Sequence, residues 1–308
     1  MNATPSPDAV QELVGRIGRL RKERRAVILA HNYQLGEVQD VADFTGDSLD
    51  LSRKAAATDA EVIVFCGVHF MAETAKILSP GKTVLMPDAE AGCPMADMIT
   101  ADRLRSLKAE HPDAVVIAYV NTSAEVKAET DVCCTSANAV EIVNRVPADR
   151  EIIFVPDQHL GDWVMRQTGR RMILWPGYCP THALILPQDI EARRREHPGA
   201  KVMAHPECSR AVVDLADVVT STSGMLRFPE GDDALTYIVA TEVGLLAGLR
   251  RRYPERTFVA ASDYAVCPNM KLTTLESAIA ALRDMSGEID VPPDIRQKAA
   301  RAVERMVE

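Results

Sequence analysis

The sequence predicts an α/β protein of three pseudo-threefold-related three-layer αβα domains, each with a small parallel sheet of about four strands, around a central active site. Three observations predict it. A Cys-Pro step occurs at Cys93-Pro94, Cys179-Pro180 and Cys267-Pro268, and the other four cysteines precede no proline. Upstream of each step lies a β-like run ending in alanine, at 26–30, 114–118 and 200–204, and from that alanine to the cysteine is 63, 61 and 63 residues. A hydroxyl, Ser48, Ser136 or Thr222, follows the same alanine by 18 residues each time. One unit of about 87 residues is therefore written three times, each copy bringing one thiol. A gapless overlay of 93–120 on 179–206 supports this with nine identities in 28.

Taken in order, residues 1–24 hold a leading helix, since Val10, Leu13, Val14, Ile17 and Leu20 form a 3.6-period stripe over 8–22. The first repeat, 25–108, offers strands near 26–30, 42–46, 61–66 and 83–86. The second, 109–195, offers 114–119, 131–134, 151–155 and 172–175, and the third, 196–285, offers 201–204, 217–221, 235–240 and 257–261. Short apolar runs alternating with helical segments predict parallel sheets covered by helices on both faces. A C-terminal helix at 293–307, within 286–308, is expected beside the leading one.

Composition narrows the class. With 308 residues, 47% hydrophobic and 26% charged, the chain is an ordinary globular protein long enough for two or three domains. A net charge of −9 argues against a nucleic-acid partner, because neutralising phosphates needs a basic face. No run of 18 apolar residues offers a membrane span, and the Pro/Ser start, Met1 to Pro7, does not have the form of a secretory signal. Seven cysteines in such a chain are expected to be thiols in the cytoplasm.

In parallel sheets ligands bind beyond the carboxyl ends of the strands. The repeated polar residues fall there. After the first strand of each copy come His31-Asn32-Tyr33, Tyr119-Val120-Asn121 and His205-Pro206-Glu207; after the second come Ser48, Ser136 and Thr222, each expected to cap a helix; after the fourth come the Cys-Pro steps. Three thiolates on a threefold axis suit a cubane iron–sulfur cluster with one iron left open, the proline stiffening each ligand turn. Zinc is the rival, but structural zinc sites usually draw on close Cys-x-x-Cys pairs, absent here. A lone Cys-Pro would be mere turn chemistry; three at matched spacing point to ligands. Cys66, Cys133 and Cys134 lie in apolar runs and are expected in the core, while Cys208 is expected to line the site without ligating.

An open iron is a Lewis acid for a hydroxyl or carboxylate. Three helix starts with hydroxyl caps favour anions, and His31, His205 and Asn121 add donors, so a small polyanion such as a dicarboxylate or sugar phosphate is the expected ligand. Glu207 is the one carboxylate among the residues after the first strands and so the candidate acid/base, beside Tyr33 and Tyr119. His182, matched by Ala96 and Met270 in the other copies, is either a binding residue or a structural histidine.

Seven motifs in order then resemble the quinolinate synthase family: Ala-His-Asn-Tyr-Gln (30–34), Gly-Asp-Ser (46–48), Tyr-Val-Asn (119–121), Thr-Ser-Ala-Asn (135–138), Gly-Tyr-Cys-Pro-Thr-His (177–182), His-Pro-Glu-Cys (205–208) and Thr-Ser-Gly-Met (222–225). The resemblance implies a [4Fe-4S] cluster on Cys93, Cys179 and Cys267. It implies a transferase that condenses iminoaspartate with dihydroxyacetone phosphate, releasing phosphate and water, to give quinolinate for NAD biosynthesis. It further implies that His31, Ser48, Tyr119, Val120, Asn121, Ser136, His205, Pro206, Glu207 and Thr222 bind the amino-acid-derived substrate. Tyr33, Tyr119, His182 and Glu207 would move protons or position dihydroxyacetone phosphate, and the enzyme supplying iminoaspartate is a candidate partner. One departure is visible: Tyr264 and Met270 flank Cys267 where some members have further cysteines, which excludes a redox disulfide there. Two other readings stay open, a diphthamide-synthase-like iron–sulfur radical enzyme and an iron–sulfur sensor or electron carrier.

Overall fold

The computed structural model describes residues 7–308, and the Pro/Ser start through residue 6 lies outside the described residues. All twelve expected strands form. They are β1 (Ala26–His31), β2 (Phe44–Gly46), β3 (Val62–Cys66), β4 (Thr83–Leu85), β5 (Val115–Tyr119), β6 (Val132–Cys134), β7 (Ile152–Val155), β8 (Ile173–Leu174), β9 (Lys201–Ala204), β10 (Val218–Val219), β11 (Thr236–Ala240) and β12 (Thr257–Ala260). They pair in parallel as three four-stranded sheets, each sheet drawing its strands from one repeat. The order is the same in all three: β2-β1-β3-β4, β6-β5-β7-β8 and β10-β9-β11-β12. The central strands are apolar along their length and buried, as helices on both faces require.

A side-chain device recurs with the topology. Asp43, Asp131 and Asp217 each stand just before the second strand of their repeat and accept a hydrogen bond from the backbone N–H fifteen residues upstream, at Ile28 (2.9 Å), Val116 (2.8 Å) and Val202 (2.7 Å). Each aspartate returns its own amide proton to the carbonyl of the same residue. The chain is thus pinned where it re-enters the sheet, which sets the register of the short second strand.

Both terminal helices form at the expected places, Pro7–Glu23 and Pro293–Val307, but they do not pack side by side as expected. The leading helix lies on helix Leu275–Asp284, with Leu13, Ile17 and Leu20 in one cluster with Ile279 and Leu282. The last helix packs on helix Ala124–Ala128, β6 and helix His69–Leu78, across the seam between the first and second sheets. Its buried face is mostly small, Ala299, Ala302 and Val303 with Met306, so it can sit close to both. Polar ties fix it there: Asn138 Nδ2 donates to Met306 O (2.9 Å), Arg305 to Asp131 O (2.9 Å) and Arg53 Nε to Val307 O (3.1 Å). Burying Val303 and Met306 contributes about 1.5–3 kcal/mol each relative to exposure. Among the described residues no helix is long and apolar enough to cross a membrane.

Candidate active site

The carboxyl ends of all three sheets open on one central cavity, with an empty volume of about 980 Å³ including its mouth. Every one of the nine loops singled out by the repeat reaches its wall. His31 and Tyr33, Tyr119 and Asn121, and His205 and Glu207 come from the ends of β1, β5 and β9; Ser48, Ser136 and Thr222 come from beyond the second strands; Cys93, Cys179 and Cys267 come from beyond the fourth. His182 is also on the wall. Val120 and Pro206 are not among the lining residues. Neighbours along an extended stretch face opposite ways, so Tyr119 and Asn121 turn to the cavity while Val120 packs into the core. Cys208 likewise faces away, its Sγ donating to Ala240 O (3.4 Å) among apolar neighbours.

The hydroxyls do not cap their helices. Helix Ser48–Ala57 is capped by Asp47, whose carboxylate accepts from the amides of Leu49 (3.1 Å) and Asp50 (3.0 Å). Helix Thr222–Arg227 is capped by Ser221, which accepts from Gly224 N (3.2 Å). Ser136 sits in a turn two residues before Asn138, the cap of helix Ala139–Arg145. The expected anion site at three free helix starts is therefore not built: Asp47 and Ser221 already occupy first-turn amides of their helices, and Asn138 Oδ1 accepts from Thr135 N (2.7 Å) instead. What the arrangement frees is the hydroxyls. Thr222 Oγ1 accepts from Asn32 Nδ2 (2.9 Å), and Ser136 Oγ lies 3.1 Å from His205 Nε2.

Protonation states follow from burial and partners. His31 Nδ1 accepts from the Tyr33 amide (3.2 Å) and His205 Nδ1 from the Glu207 amide (3.3 Å), which leaves each Nε2 carrying the proton. Burial pushes both imidazoles down to about 3, so they are neutral donors at neutral pH. Burial, reinforced by the Glu207 charge, raises the Tyr33 and Tyr119 phenols well above their ordinary value, so both keep their protons. Burial alone would raise Glu207, but His182 beside it and the donating Tyr119 hydroxyl outweigh it and hold the carboxylate ionised.

Glu207 is the hub. The Tyr119 hydroxyl donates to Oε1, and His182 Nδ1 lies 2.8 Å from Oε2. His182 Nδ1 is also 3.1 Å from Cys179 Sγ, while its Nε2 is 2.9 Å from Thr241 Oγ1, which in turn is 2.5 Å from the Tyr33 hydroxyl. One hydrogen-bonded network thus joins Cys179 through His182 to Glu207 and Tyr119 on one side and, through Thr241, to Tyr33 on the other. Tyr33, Tyr119, His182 and Glu207 contribute from all three repeats, with Thr241 as an unforeseen link.

Each of the three Cys-Pro steps opens a short helical turn, Ala96–Met98, Pro180–Ala183 and Asn269–Lys271, that aims backbone N–H groups at the sulfur. They are those of Ala96 and Met95 for Cys93, His182 for Cys179, and Met270 and Asn269 for Cys267. Burial pushes the Cys93 thiol up to about 12 and raises the other two. Cys66, Cys133 and Cys134 are fully buried in the core, as expected. Among the described residues one set of three metal-type donors has its atoms within 4.8 Å of one another, namely Cys179, His182 and Glu207. The three Cys-Pro cysteines all line the same chamber.

Two acidic residues have no signal in the repeat because they follow third strands, whose loops differ among the copies. Glu242, after β11, lines the cavity but is already committed: it accepts from Cys267 N (3.1 Å) and Gly244 N (2.7 Å) and pairs with Lys271 at 2.8 Å. It therefore positions the third cysteine loop rather than competing with Glu207. Asp157, after β7, caps helix Gln158–Thr168 through Oδ1, and its buried Oδ2 has no partner. Burial and the Glu207 charge raise its carboxyl well above the usual range.

Comparison with known proteins agrees with this geometry. The family described as "NadA: Quinolinate synthetase A protein" matches residues 15–308. The chain is 55% identical over 298 residues to quinolinate synthase of Dehalococcoides mccartyi strain CBDB1, covering 96% of this chain and 98% of that protein. It is 54% identical over 300 residues to that of Desulforudis audaxviator, covering 97% and 99%, and 50% identical over 296 residues to quinolinate synthase 1 of Methanosarcina acetivorans, covering 96% and 97%. Likeness of this degree, carried from end to end of both partners in each pairing, makes this chain a member of the quinolinate synthetase A family.

Proposed function

We propose that this protein condenses iminoaspartate with dihydroxyacetone phosphate to quinolinate, releasing phosphate and two waters, as a step toward NAD in the cytoplasm. The observation that carries the reading is the convergence of nine equivalent loops, three from each repeat, on one cavity that holds three cysteines and a buried acid/base network.

The residues fit a [4Fe-4S] cluster held by Cys93, Cys179 and Cys267. All three line the one cavity, each at the start of a short helical turn and each from a different repeat. Backbone N–H groups aimed at sulfur are the donors that stabilise thiolate ligands of such clusters. When bound with three protein ligands, the cluster would supply one open, Lewis-acidic iron to polarise a hydroxyl or carboxylate oxygen.

The chain's own groups divide the remaining work. His31 and His205 offer neutral Nε2–H donors, and Ser48, Ser136, Thr222 and Asn121 offer hydroxyl and amide groups, so the carboxylates of the iminoaspartate-derived part would be held by hydrogen bonds. Asn121 Oδ1 is buried without a partner and thus ready for a donor of the ligand. Glu207, ionised, would take the proton released as the new carbon–carbon and ring bonds form. Tyr119, protonated and bonded to Glu207, would return a proton to a departing hydroxyl, with Tyr33 and His182 completing the path. Burial of these groups excludes bulk water, which protects an imine from hydrolysis. The same lability makes direct hand-over from an enzyme that produces iminoaspartate part of the proposal.

The test is turnover. Protein loaded anaerobically with iron and sulfide should form quinolinate when dihydroxyacetone phosphate is added to iminoaspartate generated in the same vessel. Fully loaded protein that forms no quinolinate would contradict the reading.

A further inference from the structure

Cys179, His182 and Glu207 form part of the cavity wall, yet their donor atoms also converge on each other. His182 Nδ1 is the common neighbour, 3.1 Å from Cys179 Sγ and 2.8 Å from Glu207 Oε2, and all three donor atoms lie within 4.8 Å of one another. His182 and Glu207 are 1% and 4% exposed, so this is not a chance gathering of surface groups. A tetrahedral zinc ion, with bonds of about 2.0–2.3 Å, sets its donors roughly 3.3–3.6 Å apart, so the two His182 contacts would open by about half an ångström and the Cys179–Glu207 pair, within 4.8 Å, would close by at most about 1.2 Å.

The ring is already aimed. His182 Nε2, 2.9 Å from Thr241 Oγ1, is held on the far side, which turns Nδ1 toward the sulfur and the carboxylate. Such an outer hydrogen bond orients metal-binding histidines in general. One thiolate, one imidazole and one carboxylate, with a fourth position facing a cavity, make an open zinc site.

We infer that the cluster-free chain binds one zinc(II) ion through Cys179 Sγ, His182 Nδ1 and the Glu207 carboxylate. The ion replaces the proton between Nδ1 and its two neighbours and displaces the thiol proton, which pass to solvent. Of the three Cys-Pro cysteines this site uses one. If the cluster proposed above forms, zinc and cluster compete for Cys179, and zinc holds nitrogen and sulfur donors more tightly than iron(II) does. That competition rests on the proposed function; the ion site does not.

Full-length, cluster-free protein would be titrated with zinc(II) against a chromophoric chelator, and with cobalt(II) as a spectroscopic probe. The expected result is one ion per chain, tetrahedral cobalt bands and a single thiolate-to-cobalt charge-transfer band. Cys179→Ala should abolish binding, His182→Gln and Glu207→Gln should weaken it more than tenfold, and Thr241→Val should weaken it by about tenfold. Cys93→Ala and Cys267→Ala should bind as the parent does, within about threefold. Cobalt bands of three thiolates, or equal loss in Cys93→Ala or Cys267→Ala, would move the ion to the cysteines and overturn the inference; so would a parent that retains no ion. The parent's cobalt spectrum decides the matter even if a variant fails to fold. A chain that holds one zinc ion but never assembles an iron–sulfur cluster would sink the proposed function and leave this site standing.

Discussion

Glu207 Oε2 lies 2.8 Å from His182 Nδ1, and the two side chains come from different repeats. The contact joins a residue after β9 to one in the turn beside Cys179, so the acid/base group and a cysteine loop are fixed relative to each other. Neither side chain has an equivalent in the other two copies: His182 is matched by Ala96 and Met270, and Glu207 by Tyr33 and Asn121. In the proposed reaction these two positions supply the asymmetry, while the symmetry of the fold supplies the chamber.

Glu207→Gln keeps the shape and removes the charge. Turnover should fall about 10²-fold or more, the usual contribution of a general acid/base. The circular dichroism spectrum should not change. Activity within about threefold of the parent would show that Glu207 does not move the proton.

Tyr119→Phe removes a hydrogen bond to an ionised carboxylate. Such bonds contribute about 1.5–3 kcal/mol, so losing one should raise the Glu207 carboxyl toward its ordinary range. The acid limb of the pH–rate profile therefore shifts to higher pH. An unmoved limb would mean that Tyr119 does not hold the Glu207 charge.

His31 and His205 are depressed to about 3 in the folded chain, against about 6.5 when unfolded. Between those values the unfolded state binds more protons, so stability is retained at neutral pH and falls as pH drops below about 6.5. From pH 7 to pH 5 each histidine should account for about 2 kcal/mol of that fall. His205→Gln should flatten the pH dependence of urea unfolding by about this amount; a slope equal to the parent's would contradict the assignment.

Gly177 stands two residues before Cys179, and a Cβ there would lie 2.4 Å from the carbonyl oxygen of Pro156. Backbone must move to admit it. Gly177→Ala should cost about 1–3 kcal/mol in urea unfolding and lower the iron retained after reconstitution. Parent-like values in both would show that the Cys179 loop tolerates displacement.

Much of the fold and the site is legible in the sequence because the chain says the same thing three times. The constant spacing from Ala30, Ala118 and Ala204 to a hydroxyl and a cysteine is enough to locate the nine loops, and short apolar runs suffice to place every strand. Other features follow from three-dimensional neighbours that spacing does not encode. An apolar stripe on 293–307 says that the helix is covered, not by what, and its small residues fit a seam between sheets better than another helix. Caps turn on one residue, since Asp47 beside Ser48 and Ser221 beside Thr222 are equally able to cap. Glu242, Thr241 and Asp157 stay hidden because loops after the third strands carry no shared pattern. Val120 and Pro206 stand between residues that line the cavity but are not themselves among its lining residues.

The central claim is that Cys93, Cys179 and Cys267 together hold one four-iron cluster. Counting iron and sulfide per chain after anaerobic reconstitution, in the parent and in the three single Cys→Ala variants, tests it most directly. The parent should carry about four of each, with a brown colour, and every variant should show a marked loss. A colourless, iron-poor parent, or any one variant that keeps the full complement, would contradict it.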